Sequence, residues 1–274
     1  MRAIHAALMA MWVGLGASIL NASPIAFDTA GDSAYNNFNP ISTTYPNGGY
    51  GWGGPWQSDG ALFVNEPGLT GPGHPADTTP INSPTTSDGR AWGISYFLGE
   101  QLAYAQRPLA GALLAGQTLS IDLDMRTMSA PQEGDTQFVI LGPSSLGSGV
   151  MLHADSVGVY RVDVSAPDIP ATYFTSVPVS DQFIHLDVEV VDHSSVRFTI
   201  TSLGSDGATA SLVVPDDIPI TNLTLTNQGV GYLPDAELYF NNIQITPEPA
   251  GILFPAVVAA SALLRRRRFR NLRP

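Results

Sequence analysis

Ile184-His185-Leu186-Asp187-Val188-Glu189-Val190-Val191-Asp192-His193-Ser194-Ser195-Val196-Arg197-Phe198-Thr199-Ile200-Thr201 carries the signal that decides the fold. Ile184, Leu186, Val188 and Val190 alternate with His185, Asp187, Glu189 and Val191, and Val196, Phe198 and Ile200 alternate with Arg197, Thr199 and Thr201. A period of two marks pleated strands with one face in a core and one toward water. Asp192-His193-Ser194-Ser195 between the two runs reads as a hairpin loop. The pattern recurs upstream, where Leu119, Ile121, Leu123 and Met125 alternate with Ser120, Asp122, Asp124 and Arg126. Segments around Phe138, Tyr160 and Leu223 repeat it, with turn residues between them. In the final run, Leu238 and Phe240 share a face with Ile243 and Ile245 only if one residue is extra at Asn241-Asn242. That odd spacing predicts a β-bulge. Within residues 24–246, beyond a short turn near Ala110 to Leu114, no helical period survives. Many short strands at regular spacing predict an all-β, two-sheet antiparallel sandwich of jelly-roll type.

From Pro24 to about Arg90 the chain is dominated by Gly, Pro, Ser, Thr and Asn, as in Tyr45-Pro46-Asn47-Gly48-Gly49-Tyr50-Gly51-Trp52-Gly53-Gly54-Pro55-Trp56. Gly and Pro divide such a stretch into turns. Tyr35, Phe38, Tyr50, Trp52 and Trp56 supply enough apolar area to order it, so this front end is expected to be loops and short strands over one end of the sandwich. The chain has no cysteine. Its stability must come from an ordinary core, and lipoprotein anchors and zinc–thiolate sites are excluded.

The two ends differ from the middle. Arg2 precedes an uncharged apolar stretch from Ala6 to Leu20, followed by Asn21, Ala22 and Ser23. This order is that of a cleavable secretory signal, assigned to residues 1–23. At the other end, Pro247-Glu248-Pro249 precedes an apolar run from Ala250 to Leu264 and then Arg265, Arg266, Arg267 and Arg268. As a helix the run would cover about 20–25 Å of bilayer, with the arginines held on the cytoplasmic side. Pro247 and Pro249 keep the segment before it extended. This tripartite tail, residues 247–274, resembles that of PEP-CTERM proteins. The resemblance implies export from a Gram-negative-type bacterium, transient inner-membrane anchoring by the C-terminal helix, and processing near Pro247-Glu248-Pro249 by an exosortase-type membrane enzyme. The destination it implies is the cell surface or the extracellular space.

Charge is segregated in the same way. The chain holds 12 basic and 24 acidic residues. Setting aside Arg2, the six arginines after Pro247, and Glu248 leaves five basic and 23 acidic residues in the passenger, residues 24–246, for a net of −18. Such a surface repels nucleic acid and is compatible with soluble polysaccharide or divalent cations.

Phe27-Asp28, Ala34-Tyr35, the Gly/Trp stretch to Trp56, Ala91-Trp92-Gly93, Gly116 to Asp124, and Leu238-Tyr239-Phe240-Asn241-Asn242-Ile243 run in an order that resembles the passengers of many PEP-CTERM proteins. In strand pattern they are similar to concanavalin A-like lectin and glucanase sandwiches. That resemblance implies a fold and not a function.

Three sets of side chains are candidates for chemistry. Asp187, Glu189 and Asp192 resemble the Glu-x-Asp-x-x-Glu strand of jelly-roll β-glucanases, in which the outer pair serve as nucleophile and acid/base. Every position departs from that pattern, by a methylene in each case, and the alternative is a solvated strand face followed by a turn residue. Asp122 and Asp124 share one strand face and, with Asp28, Asp32, Asp216 or Asp217, are candidate oxygen ligands for a structural Ca²⁺. Tyr50, Trp52, Trp56 and Trp92 are a candidate sugar platform, the alternative being burial in the core. None of the five histidines sits in a triad motif, and no glycine loop opens a helix to hold phosphate. The expectation is a surface or matrix protein that leans non-enzymatic and contacts extracellular polysaccharide, with no cofactor required. The rivals are a glycoside hydrolase or lyase and a purely structural passenger.

Overall fold

The computed structural model describes residues 23–35, 47–59, 61–65, 90–95, 102–125, 136–143, 149–154, 158–165, 171–178, 184–203, 207–215, 218–228 and 238–247. The signal and the tail, apart from Ser23 and Pro247, lie outside these residues, as do the two flanking helices expected there. Among the described residues no helix is long and apolar enough to cross a membrane.

Among the described residues fifteen strands, numbered in chain order, make two antiparallel sheets. The eight-stranded sheet runs β13 (Thr209–Pro215), β12 (Ser195–Ser202), β11 (Ile184–Asp192), β6 (Thr118–Met125), β15 (Leu238–Thr246), β4 (Ala91–Ser95), β3 (Ala61–Asn65), and β1 (Ala26–Asp28) also pairs with β15. The seven-stranded sheet runs β10 (Ala171–Pro178), β9 (Val159–Ser165), β8 (Gly149–Ala154), β7 (Thr136–Gly142), β14 (Asn222–Gln228), β5 (Leu102–Pro108), β2 (Gln57–Asp59). The expected two-sheet antiparallel sandwich is the observed architecture.

The apolar series read from the sequence form its core. Leu119, Ile121, Leu123 and Met125 of β6, Ile184, Leu186, Val188 and Val190 of β11, and Val196, Phe198 and Ile200 of β12 are all buried. They face Val139 and Leu141 of β7, Tyr160 and Val162 of β9, and Leu223 and Leu225 of β14 across a single apolar layer. The hairpin falls where the spacing places it, with Asp192 paired to Ser195 and the Asp192 carboxylate accepting from the Ser194 N–H at 2.8 Å. The bulge is present too. β15 pairs with β6 at Asn241↔Asp122 and next at Gln244↔Ser120, so one residue of β15 is extra and Ile243 and Ile245 return to the core. Asn242 takes up the change with φ of 51°, a left-handed conformation that Asn tolerates better than most residues. The expected turn between Ala110 and Leu114 is irregular and not helical.

The front end departs from expectation, because it is woven into the sandwich and does not merely cover it. β1 and β3 extend the larger sheet, and β2 extends the smaller one. Tyr35 and Trp56 enter the core: Tyr35 meets Trp92 edge-on at 4.3 Å between ring centroids, and Trp56 lies 5.3 Å from Phe240 and 6.0 Å from Trp92. Each such pair adds about 0.5–1.5 kcal/mol beyond the area it buries. A chain rich in Gly and Pro can be this ordered because its few large rings do the packing.

Candidate functional site

The glycine-rich stretch builds an aromatic edge. Its sequence alternates, Gly49-Tyr50-Gly51-Trp52-Gly53, and the segment lies along β1. Phe27 and Tyr50 exchange both backbone hydrogen bonds, each 3.0 Å. Gly49 and Gly51 turn toward the β1 backbone with φ of +70° and +79°, where a Cβ would come within 2.2 Å of the Phe27 carbonyl and 2.1 Å of that of Ile25. Glycine is required there by space as well as by conformation. The alternate positions point elsewhere. Tyr50 is 53% exposed, Trp52 and Phe27 are half-buried, and Ile25 is exposed beside them.

Beneath this edge lies a buried charged network. Arg107 on β5 and Asp28 on β1 are both fully buried and pair at 2.9 Å. The Asp28 carboxylate also accepts from the Trp56 indole N–H at 2.9 Å and from the Tyr35 hydroxyl at 3.0 Å. Burial pushes Asp28 up to about 6, against the opposing pull of the Arg107 charge and these two donors. Arg107 donates further to the Gly48 carbonyl at 2.7 Å and to the Asn47 side chain at 3.1 Å. Its guanidinium lies 5.2 Å from the Trp52 ring centroid and 5.4 Å from that of Trp56. The Trp52 indole N–H donates to the Phe27 carbonyl at 3.1 Å. Arg107 thus holds both ends of the glycine segment, and Trp52 has one ring face against a cation and its N–H engaged.

Sequence reasoning missed Arg107. The signal was the same period of two: in Ala103-Tyr104-Ala105-Gln106-Arg107, the arginine falls on the face of the two buried alanines. A charge placed at an apolar position calls for a buried partner.

A second group spans the outward face of the larger sheet. Ser120 donates to Asp187 Oδ1 at 2.5 Å, and the His185 ring lies between Asp187 at 3.2 Å and Asp122 at 2.6 Å. Asn242, held by the bulge, donates to the other Asp122 oxygen at 2.7 Å. With a carboxylate at each nitrogen, His185 is an imidazolium. Its hydrogen bond to Asp122 and then that to Asp187 raise it to about 10 against burial. Burial would raise Asp187, but hydrogen bonds from His185 and Ser120 hold it below the ordinary carboxylate value. Although Ser, His and Asp meet here, the serine donates to the aspartate and the histidine has no free nitrogen to act as base.

The other candidates fall as follows. Glu189 pairs with Arg197 on the neighbouring strand. Asp192 is spent on its own turn, where the Ser194 N–H holds it below its usual value. Asp187 and Asp192 are both held below the ordinary carboxylate value, opposite to the direction a general acid needs. Trp56 and Trp92 are 1% and 0% exposed and fill the core of the front end, so of the four candidate rings Tyr50 and Trp52 are the two that reach solvent. Asp122 and Asp124 do not form a ligand pair. Asp122 is engaged by His185 and Asn242, and Asp124 is 1% exposed near the end of β6, paired in register with buried Tyr239. Alternation assigns a face but not its exposure. Of the other candidate ligands, Asp28 is committed to Arg107, Asp32 accepts from the Ala34 and Gly49 N–H groups, and Asp216 and Asp217 lie outside the described residues. Among the described residues no three His, Asp or Glu side chains come together as a cation site.

No family model matches the sequence, and no curated protein matches it. Among solved structures the chain is similar to the carbohydrate esterase vb_24B_21 of the Shiga toxin-encoding bacteriophage phi24B, at 12% identity over 70% of this chain and 90% of that one, with a TM-score of 0.43. It is similar to lectin II from Ulex europaeus at 9% identity, over 59% of this chain and 88% of the lectin, with a TM-score of 0.40. The exoplasmic/lumenal domain of VIP36 in its Ca²⁺-bound form matches at 9% identity, over 64% and 86%, with a TM-score of 0.40. None of these names transfers a ligand or an activity to this chain.

Proposed function

We propose that the chain is an exported, non-catalytic surface or matrix protein whose sandwich contacts extracellular polysaccharide through the Tyr50–Trp52 edge. The observation that carries this reading is the exposed Tyr50 beside half-buried Trp52 and Phe27, on a segment that glycine backbone contacts and Arg107 hold in place. Flat rings fixed before the ligand arrives stack on the apolar face of a pyranose with little loss of side-chain freedom. The acidic passenger favours a neutral glycan over a uronic one, and the Arg107 charge beneath the edge is buried and paired with Asp28. Export through the N-terminal signal, anchoring through the apolar run and processing by an exosortase-type enzyme belong to the same reading and rest on the sequence of the two ends.

The test is depletion of purified residues 24–246 onto a panel of bacterial and algal polysaccharides, with and without Ca²⁺, with reducing ends assayed in the same tube. The expected result is binding without release of reducing ends. Tyr50→Ala and Trp52→Ala should weaken it by about tenfold or more, the loss of one stacking ring, and Asp187→Asn should leave it unchanged. Release of reducing ends that disappears in Asp187→Asn or Asp192→Asn would overturn the reading in favour of a hydrolase. Absence of both signals would leave a structural passenger.

A further inference from the structure

Asn47-Gly48 is the only place in the chain where glycine follows asparagine. Glycine has no side chain to shield its own nitrogen and the freest backbone of any residue, so that nitrogen can reach the side-chain carbon of the asparagine before it. Exchanging the glycine would remove this reactivity, but the fold forbids the exchange. A Cβ on Gly48 would collide with the Tyr35 ring, which is itself packed edge-on against Trp92. Gly48 is buried, whereas Asn47 is exposed and open to water. The contact that matters most is made by Arg107. Its Nη2 donates to Asn47 Oδ1 at 3.1 Å and to the Gly48 carbonyl at 2.7 Å. Asn47 Oδ1 is the atom on which negative charge develops when a nucleophile attacks the amide, and a cation fixed there in advance stabilises that charge. Asp28 pairs with the other terminal nitrogen, Nη1, at 2.9 Å and leaves Nη2 to Asn47. Asp32, the remaining carboxylate at this segment, accepts from the Ala34 and Gly49 N–H groups.

We propose that Asn47 is a self-modification site, converted to aspartate and isoaspartate by the Gly48 nitrogen with Arg107 polarising the amide, and that the aromatic edge is released from β1 as the reaction proceeds. The Gly48 amide gives its proton to solvent, and its nitrogen attacks Asn47 Cγ. The new C–N bond closes a cyclic imide, while the bond from Cγ to Nδ2 breaks and ammonia leaves after taking up a proton. Water then opens the imide at one carbonyl to give aspartate, or at the other to give isoaspartate. The sum consumes water and releases ammonia, with no oxidation or reduction. Either product sets a carboxylate beside Arg107, where it competes with Asp28. Isoaspartate also lengthens the main chain by a methylene just before Gly48. Gly49 and Gly51 lie against the β1 carbonyls with no room even for a Cβ, so the shift is not absorbed there and the Phe27–Tyr50 pair opens. The loss of sugar binding that would follow rests on the glycan reading above, but the reaction and the opening of the pair do not.

The test is to age the full chain in mild detergent, folded and in urea at the same pH, and to follow the peptide containing Asn47 by mass and by separation of aspartate from isoaspartate. The folded chain should react faster than the denatured one, on the order of tenfold, because only the fold brings Arg107 to the amide. A folded chain that reacts more slowly overturns the proposal, since the fold would then protect Asn47. Arg107→Lys, checked for cooperative unfolding, should lose the acceleration, and a folded variant that keeps it is equally fatal. Should that variant not fold, the comparison of folded with denatured wild type still decides. Amide hydrogen exchange reads the consequence. The Tyr50 N–H should lose protection in step with isoaspartate and keep it in Asn47→Gln aged alongside, whereas equal loss in both would overturn the release of the edge. Sugar binding by the same samples should decline as isoaspartate accumulates. A fresh chain that binds no sugar refutes the glycan reading and leaves the modification to be judged by mass and exchange.

Discussion

At the scale of residues, the chain uses charge inside and on the sandwich to hold elements, and His185 is the place where this is measurable. Both ring nitrogens face carboxylates, Asp122 from β6 and Asp187 from its own strand. The folded protein therefore binds the imidazole proton more tightly than the unfolded chain, with the group raised from 6.5 to about 10. For a raised base the stability contribution is complete below pH 6.5 and is lost as the pH climbs through 10. With a third of the side chain open to water, the contribution is on the order of 1–2 kcal/mol after screening. Denaturant unfolding at pH 6, 8 and 10 should show that decline in the wild type, and a flatter profile in His185→Gln. A His185 ring whose NMR shifts titrate near pH 6.5 would contradict the doubly bridged imidazolium. Arg107 illustrates the opposite case. Its buried pairing with Asp28 joins β5 to β1, but the partners are far apart in sequence and no local pattern names one to the other.

At the scale of elements, β15 shows how one extra residue makes a strand serve two neighbours. Its first part pairs with β4 at Leu238–Phe240 and its last part with β1 at Ile243–Ile245, with the bulge between them. Asn241 occupies that gap, accepting from the Ala30 N–H at 2.9 Å and donating to the Arg90 carbonyl at 3.1 Å. Deleting Asn242 would turn Ile243 and Ile245 toward water, since a one-residue slip moves every following side chain to the other face. The expected result is loss of cooperative unfolding or a destabilisation of several kcal/mol, followed by tryptophan fluorescence in urea. Asn242→Gly should cost only about 1 kcal/mol, for the lost hydrogen bond to Asp122, because glycine accepts the positive φ. Equal effects of the two changes would show that the bulge is not needed. This bulge, the hairpin at Asp192–Ser195 and the inward residues of β6, β11 and β12 were legible because each follows from period two within a single strand. β1 to β3 were not. Tyr35, Trp56 and Trp92 are set apart by burial against distant partners, and composition alone cannot separate a ring in the core from a ring such as Tyr50 on an edge. The carboxylates were legible as a cluster, but their chemistry was decided by the partners that β6, β12 and the turn bring to them.

At the scale of the whole molecule, charge is segregated along the sequence. Six of the 12 basic residues follow Pro247, whereas 23 of the 24 acidic residues precede it. Among the described residues the last strand ends at Thr246, just before the Pro247-Glu248-Pro249 motif in the sequence. Replacing those three residues by alanine should therefore leave the unfolding midpoint of the passenger unchanged while altering its destination. If the motif is what a membrane processing enzyme reads, uncleaved precursor should accumulate in the inner-membrane fraction of an exosortase-bearing host. Exchanging Arg265, Arg266, Arg267 and Arg268 for serine should act differently, by removing the positive charge that fixes the cytoplasmic side of the apolar run. Export with the tail carried through the membrane is the outcome expected of that variant. Normal processing of the alanine variant would sink the sorting assignment, and it would do so without touching the sandwich or its aromatic edge, because those are built from residues that precede the motif in the sequence.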